Sequence, residues 1–143
     1  PEFELPDQDE QKVTLSSLLS KGPTVIYFYP HDDTPGCTAE ACEFRDRYEA
    51  FRDAGAEGVG ISADSVEAHR AFADKHGLPF TLLSDEGNRV RKEWGVPSTL
   101  WMLPGRVTYV LDRSGTVRYT FNSQMNSKGH VDNALRIIRG LRR

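Results

Sequence analysis

A short apolar run in the first quarter of the chain constrains its fold more than any other feature. Residues 24–29 are all β-branched or aromatic and contain no charged side chain. Such a run predicts a central strand that is buried on both faces of a sheet. The chain then passes directly into residues 30–45, which contain both of its cysteines. The predicted strand therefore delivers the chain to its most reactive side chains.

A helix-start signal stands inside this second segment. Thr34 can cap a helix through its side-chain oxygen, and Pro35 suits the first helical position, where no backbone N–H is needed. Cys37 then heads an apolar stripe that predicts a helix of about four to five turns. The stripe continues through Ala41, Phe44, Tyr48 and Phe51. The Cys37 sulfur should lie near unpaired N–H groups and the positive end of the helix dipole, which favour a thiolate.

Four carboxylates near Cys37 oppose its ionisation. They belong to Asp32, Asp33, Glu40 and Glu43. Arg45 is eight residues downstream, about two helical turns away. If Cys37 is a nucleophile, we therefore expect a cation from elsewhere in the fold to offset these negative charges.

The second cysteine, Cys42, stands five residues after the first. In an intact helix this spacing separates the two Cα atoms by about 8–9 Å, whereas a disulfide requires less than about 7 Å. Either the two thiols are independent, or they form a disulfide only when the first turns of the helix unwind. We favour the second interpretation.

The rest of the chain predicts alternating strands and helices, an α/β pattern. Residues 1–14 suggest an N-terminal β-hairpin and residues 16–19 one helical turn. Predicted strands cover residues 57–62, 80–83, 106–111 and 116–121, and predicted helices cover residues 65–76, 85–94 and 128–141. We expect a single domain over residues 1–143, with a central mixed sheet and helices on both faces.

Two of these elements carry more detailed expectations. Gly58 and Gly60 in strand 57–62 suggest close approach by neighbouring backbone. Helix 65–76 should begin at an Asp64 or Ser65 cap and stop at Gly77. Its expected apolar positions are Val66, Ala68, Ala71 and Phe72.

The overall composition limits the classes of partner. A net charge of −3 and an isoelectric point near 5.8 argue against nucleic acid or an anionic membrane. Every apolar run is far shorter than the roughly 20 residues of a membrane span. Two cysteines suit a reducing compartment. The sequence opens at Pro1 without methionine and without a charged-then-apolar segment, so we expect that any targeting segment has been removed or was never present, and the bacterial cytoplasm and the chloroplast stroma both fit.

Several segments together resemble a known family. The motif Pro30-x-x-x-Thr34-x-x-Cys37 is similar to the active-site signature of the peroxiredoxins, and the position of Cys42 resembles the peroxiredoxin Q subgroup, also called bacterioferritin comigratory protein. The likeness continues through Phe3-Glu4-Leu5, Leu83-Ser84-Asp85-Glu86-Gly87, Trp94-Gly95-Val96-Pro97 and Leu103-Pro104-Gly105-Arg106. This resemblance implies a thioredoxin-like fold with an N-terminal addition.

The resemblance also implies roles for five residues. Cys37 would be the peroxidatic nucleophile, and Cys42 the resolving cysteine. Thr34 would form hydrogen bonds with the thiolate and with the bound peroxide. Pro30 would line the pocket and exclude water from it. Arg106 is the candidate for the missing cation, and would stabilise the Cys37 thiolate and hold the peroxide oxygens.

The implied activity is that of a thiol-dependent peroxidase for hydrogen peroxide and small alkyl hydroperoxides. A Cys37 sulfenic acid would condense with Cys42, and thioredoxin or a similar thiol reductant would reduce the disulfide. No metal or other cofactor is required, and the subgroup suggests a monomer. The alternative is a redox-switched interaction protein that uses the same disulfide as a sensor. A general disulfide exchanger is disfavoured because the usual Cys-x-x-Cys spacing is absent.

Overall fold

The computed structural model describes residues 3–29, 35–87, 89–94, 107–122 and 127–141. Seven strands and five helices lie in these ranges. In chain order they are β1 (Glu4–Pro6), β2 (Lys12–Thr14), α1 (Leu15–Leu19), β3 (Thr24–Phe28), α2 (Pro35–Asp53), β4 (Glu57–Ser62), α3 (Val66–His76), β5 (Thr81–Ser84), α4 (Arg89–Glu93), β6 (Val107–Leu111), β7 (Val117–Asn122) and α5 (Ser127–Leu141).

The main sheet is mixed, as predicted, with the strand order β5-β4-β3-β6-β7. The apolar run forms its middle strand, β3, in which all five residues are buried. β3 is parallel to β4, and β4 is parallel to β5. On the other side of β3, β6 and β7 are successive antiparallel strands. The carboxyl ends of β3, β4 and β5 therefore meet at one edge of the sheet.

Helices cover both faces of this sheet because alternate residues of β3 point in opposite directions. Val25 and Tyr27 belong to a core that also contains residues of α2, α3 and α5. Ile26 and Phe28 belong to a second core, formed with the N-terminal hairpin, α1 and α4. The prediction of a sheet between two helical layers is confirmed.

The N-terminal hairpin is also confirmed, and its turn attaches it to the outer edge of the sheet. β1 and β2 pair antiparallel. In the turn between them, the Gln8 side chain donates to the Phe80 carbonyl at 3.1 Å and accepts from the Leu82 N–H at 3.0 Å. The amide side chain thus satisfies backbone groups of the edge strand β5 and of the residue that precedes it.

The prediction that neighbouring backbone closely approaches Gly58 and Gly60 of β4 is wrong. A Cβ atom built on Gly58 would lie 2.7 Å from the Phe44 ring, and one built on Gly60 would lie 2.7 Å from the Tyr27 ring. Aromatic side chains, not neighbouring backbone, fill this space. The glycines allow bulky rings to pack directly on the strand.

Helix α3 confirms the predicted ends but not the whole predicted apolar face. Ser65 Oγ accepts from the Ala68 N–H at 3.1 Å, and Gly77 ends the helix with φ 60°. Phe72 is buried, whereas Ala71 is exposed. A fully buried histidine, His69, lies on the inner face instead, where Nε2 contacts the Leu83 carbonyl at 3.0 Å. Hydrogen bonding compensates for the burial of this polar ring.

Helix α4 is shorter than the predicted helix 85–94. Gly87 has φ 85°, a turn conformation that cannot continue a helix. Asp85 is buried before the turn, and its Oδ1 accepts from the Val90 N–H at 3.1 Å. The helix therefore begins at Arg89, four residues after the predicted start.

The β6–β7 hairpin and the closing helix α5 agree with prediction. In the hairpin turn, Asp112 Oδ1 accepts from the N–H groups of Ser114 at 3.0 Å and Thr116 at 3.1 Å. Hydrogen bonding, chiefly from the Ser114 hydroxyl, lowers the pKa of Asp112 below its usual value. The side chain thus remains an acceptor that holds the turn at neutral pH.

Candidate active site

Helix α2 begins at Pro35, as its predicted capping signal requires. Cys37 is therefore in its first turn. The helix follows β3, whose carboxyl end lies at the edge of the sheet where the parallel strands meet. Open α/β sheets commonly bind their ligands at this edge. The side chain of Cys37, and residues Pro30, Thr34 and Arg106, lie outside the described residues.

The predicted stripe fixes α2 against the sheet. Ala41, Phe44 and Phe51 are each 1% exposed, and Tyr48 packs at the margin of the same core. The rings of Phe44 and Phe51 stack at 4.7 Å between centroids, with an interplanar angle of 6°. The body of the helix is therefore firmly packed while its first turn carries the cysteine.

Cys42 is a half-buried free thiol. Its Sγ lies 3.9 Å from Nδ1 of His76, at the end of α3. Both cysteines belong to the continuous helix α2, where a five-residue spacing exceeds the reach of a disulfide. This arrangement is that of a thiol form, in which Cys42 packs against α3.

Arg45 binds α3 rather than approaching the first turn of its own helix. Its Nη1 donates to the His76 carbonyl at 2.7 Å, and its Nε donates to Asp46 Oδ1 at 3.0 Å. A cation at the carboxyl end of a helix satisfies carbonyls that have no partner within the helix. Arg45 is therefore engaged at α3, and a cation from another element near Cys37 stays a prediction.

The sheet register bears on Arg106, the candidate for that cation. The next residue, Val107, begins β6 and pairs with Phe28, the last residue of β3. This pair lies at the start of β6 and at the end of β3. The first residue after Arg106 is therefore next to the end of the strand that leads into residues 30–45.

His76 was missed by sequence reasoning. Its contact with Cys42 spans 34 residues, and no spacing within either helix indicates it. The only local signal was its place in the last turn of a well-predicted helix. The buried His69, whose Nδ1 is 3.4 Å from the Tyr29 hydroxyl at the end of β3, was missed for the same reason.

A polar groove of about 530 Å³ lies along the second half of α2. It is lined by Arg45, Tyr48, Glu49, Arg52, Asp53 and Pro79. Burial, with a smaller effect of the Glu57 charge, raises the pKa of Tyr48 above its usual value. Its phenol therefore remains a hydrogen-bond donor in this groove.

Two classes of site find no support in the described part of the chain. No three histidine, cysteine or acidic side chains come together there as metal ligands would. None of the described helices has the length and apolar character to cross a membrane.

Comparison with known proteins decides the family. The profile of the AhpC/TSA family matches residues 1–120. The chloroplastic peroxiredoxin Q of Sedum lineare is 58% identical over 143 residues, which cover 99% of this chain and 76% of the Sedum protein. That of Triticum aestivum is 58% identical over 142 residues, covering 99% of this chain and 65% of the wheat protein. The chain belongs to the peroxiredoxin Q group of the AhpC/TSA family.

Solved structures confirm the thioredoxin-like fold of this peroxiredoxin. Peroxidoxin BcpB of Mycobacterium tuberculosis superposes with a TM-score of 0.94 at 40% identity, covering 100% of this chain and 95% of that one. Peroxiredoxin Q of Xanthomonas campestris gives 0.90 at 31% identity, covering 99% and 92%. A further Xanthomonas structure, of a bacterioferritin comigratory protein described by its alkyl peroxide reduction activity, gives 0.89 at 29%, with the same coverage. Membership in this group supports the function of a thiol-dependent peroxidase.

Proposed function

We propose that this peroxiredoxin reduces hydrogen peroxide and small alkyl hydroperoxides with Cys37, forms a Cys37–Cys42 disulfide and is recycled by thioredoxin or a similar thiol. The start of α2 at Pro35 is the observation that carries the proposal. Cys37 is a residue of the first turn of this helix, and the unpaired N–H groups of a helix start favour a thiolate. The alkyl peroxide activity of the Xanthomonas relative supports the wider substrate class.

The first step is oxidation of the Cys37 thiolate. Its sulfur attacks the O–O bond, water or an alcohol leaves, and Cys37 becomes a sulfenic acid. In this proposal Thr34 bonds the thiolate and the peroxide, and Pro30 shields the site from water. Arg106 supplies positive charge for the thiolate and for the leaving oxygen.

Replacing Arg106 by alanine should slow Cys37 oxidation by on the order of 10²-fold, because a donor that stabilises developing charge contributes about that much. Stopped-flow measurement of sulfenic acid formation tests this expectation. Arg118→Ala is the matched control, since Arg118 is an exposed arginine of β7 that pairs with Asp112. Equal oxidation rates in the Arg106 variant and the wild type would make Arg106 a surface residue.

The second step requires a change in α2, since both cysteines lie in one continuous helix. Unwinding of the first turns would let Cys42 reach the Cys37 sulfenic acid and condense with it, releasing water. The buried rings of Phe44 and Phe51 hold the rest of the helix in the core. The proposal therefore confines the change to the first turns.

The Cys42→Ser variant is expected to reduce about one equivalent of peroxide and then stop when thioredoxin is the only reductant. Without Cys42 no disulfide forms for thioredoxin to attack. A coupled thioredoxin assay measures turnover, and a single-equivalent peroxide assay confirms that Cys37 still reacts. Turnover at the wild-type rate would show that Cys42 is not the resolving cysteine.

The proposal as a whole is tested by the intact mass of reduced protein after one equivalent of hydrogen peroxide, with free thiols counted in the same sample. Loss of both thiols and of two hydrogen atoms in a monomeric product is the expected result. Retention of both thiols contradicts the peroxidase function. A stable oxygen adduct with one remaining thiol contradicts resolution by Cys42.

A second candidate function is a redox-switched interaction protein. Cys42 and Arg45 both contact the end of α3, so disulfide formation would rearrange the surface between α2 and α3. Rate separates the two functions, because a peroxidase must cycle with its reductant whereas a sensor reacts once. Rapid, repeated turnover with thioredoxin would favour the peroxidase.

The cellular setting forms part of the proposal. A monomer in a reducing compartment, either the bacterial cytoplasm or the chloroplast stroma, suits the chemistry. The chloroplastic names of the Sedum and wheat relatives are consistent with the stroma.

A further inference from the structure

A histidine from another helix lies against the cysteine to which we assign resolution. Cys42 Sγ is 3.9 Å from Nδ1 of His76, in the last turn of α3. A thiol is a weak hydrogen-bond donor, and one nitrogen of a neutral imidazole is an acceptor. Imidazole is also the side chain whose ordinary pKa suits proton transfer near neutral pH. The contact therefore places a base beside the Cys42 proton.

Other contacts hold this imidazole in place independently of Cys42. The ring of Phe72, one helical turn earlier, meets the His76 ring edge-on at 5.1 Å between centroids and an angle of 73°. Arg45 Nη1 donates to the His76 carbonyl at 2.7 Å. The second ring nitrogen, Nε2, is buried. His76 is thus positioned by its own helix and by α2.

We propose that His76 is the proton acceptor for Cys42 in the disulfide-forming step, an inference that rests on the function proposed above. His76 Nδ1 takes the S–H proton, and the Cys42 thiolate attacks the sulfur of the Cys37 sulfenic acid. The S–S bond forms as the S–O bond breaks, the leaving hydroxide takes up a proton from solvent to become water, and His76 then returns its proton to solvent. The step needs no further oxidant or reductant.

The proton transfer takes place in the helical form, before α2 unwinds. Phe44 is 1% exposed and Arg45 is bound to α3, so both anchor the helix just beyond Cys42. Even if it were fully extended, the three-residue stretch from Cys42 to Arg45 would span at most about 10 Å. When the first turns unwind, Cys42 therefore stays within that distance of Arg45, and in this proposal it moves toward Cys37 as a thiolate.

The test separates the two chemical steps in His76→Asn and His76→Phe. Reduced protein is mixed with one equivalent of hydrogen peroxide, quenched at intervals with a thiol-trapping reagent, and its sulfenic acid and disulfide are counted by intact mass. Disulfide formation should slow about tenfold in both variants, because the thiolate is the nucleophilic form and the base that generates it has been removed. Sulfenic acid formation should be unchanged, and added imidazole should restore part of the lost rate.

Asp74→Asn is the matched control, because Asp74 is an exposed residue of the same helical turn. Wild-type disulfide rates in both His76 variants would overturn the inference. A wild-type rate in His76→Asn alone would also overturn it, since an amide can accept a hydrogen bond but cannot take the proton. If the wild-type protein itself forms no disulfide, the proposed function fails instead.

Discussion

The Cys37→Ser variant should lose peroxide turnover by on the order of 10³-fold or more, the scale of effect seen when a nucleophile is removed. A serine hydroxyl is not ionised at neutral pH, and its oxygen cannot take the place of sulfur as the atom that peroxide oxidises. Cys37 belongs to the first turn of α2, and the unpaired N–H groups at a helix start favour a thiolate. Peroxide consumption with thioredoxin and its reductase measures the loss.

The Cys42→Ser protein provides the comparison for this experiment. It should still consume one equivalent of peroxide, whereas Cys37→Ser should consume none. Circular dichroism should show the same helix content in both variants. Substantial thioredoxin-dependent turnover by Cys37→Ser would remove the central claim of the proposed function.

The Phe44→Ala variant should lower the free energy of unfolding by about 3–5 kcal/mol, the range for removing a large aromatic side chain from a core. Phe44 is 1% exposed, and its ring lies 4.7 Å from Phe51, 5.0 Å from Phe80 and 5.6 Å from Tyr27, centroid to centroid. The missing side chain at Gly58 leaves space that the Phe44 ring fills. Urea unfolding followed by circular dichroism measures the change.

Val117→Ala is the control for this measurement. Val117 is 45% exposed on β7, so its truncation should change the free energy of unfolding by no more than about 0.5 kcal/mol. Equal effects of the two substitutions would mean that the aromatic cluster around Phe44 does not stabilise the core as described.

The sequence alone determined the features that depend on neighbouring residues. The start of α2 at Pro35 follows from the Thr-Pro signal, and Ala41, Phe44 and Phe51 are buried as their spacing predicts. The middle strand follows from an uninterrupted apolar run. Caps, turns and periodicity act over a few residues, so a single chain displays them directly. The resemblance to the peroxiredoxins rested on the order of such local motifs and was confirmed by the relatives.

The tertiary structure decided the features that join distant elements. Packing of Phe44 over Gly58, burial of His69, and contact between Cys42 and His76 each depend on which strands and helices are neighbours. The spacing of residues within α2 or α3 cannot specify these partners. Their positions are set by the order of strands in the sheet and by the sizes of the side chains packed between the layers, which act only once the chain has folded.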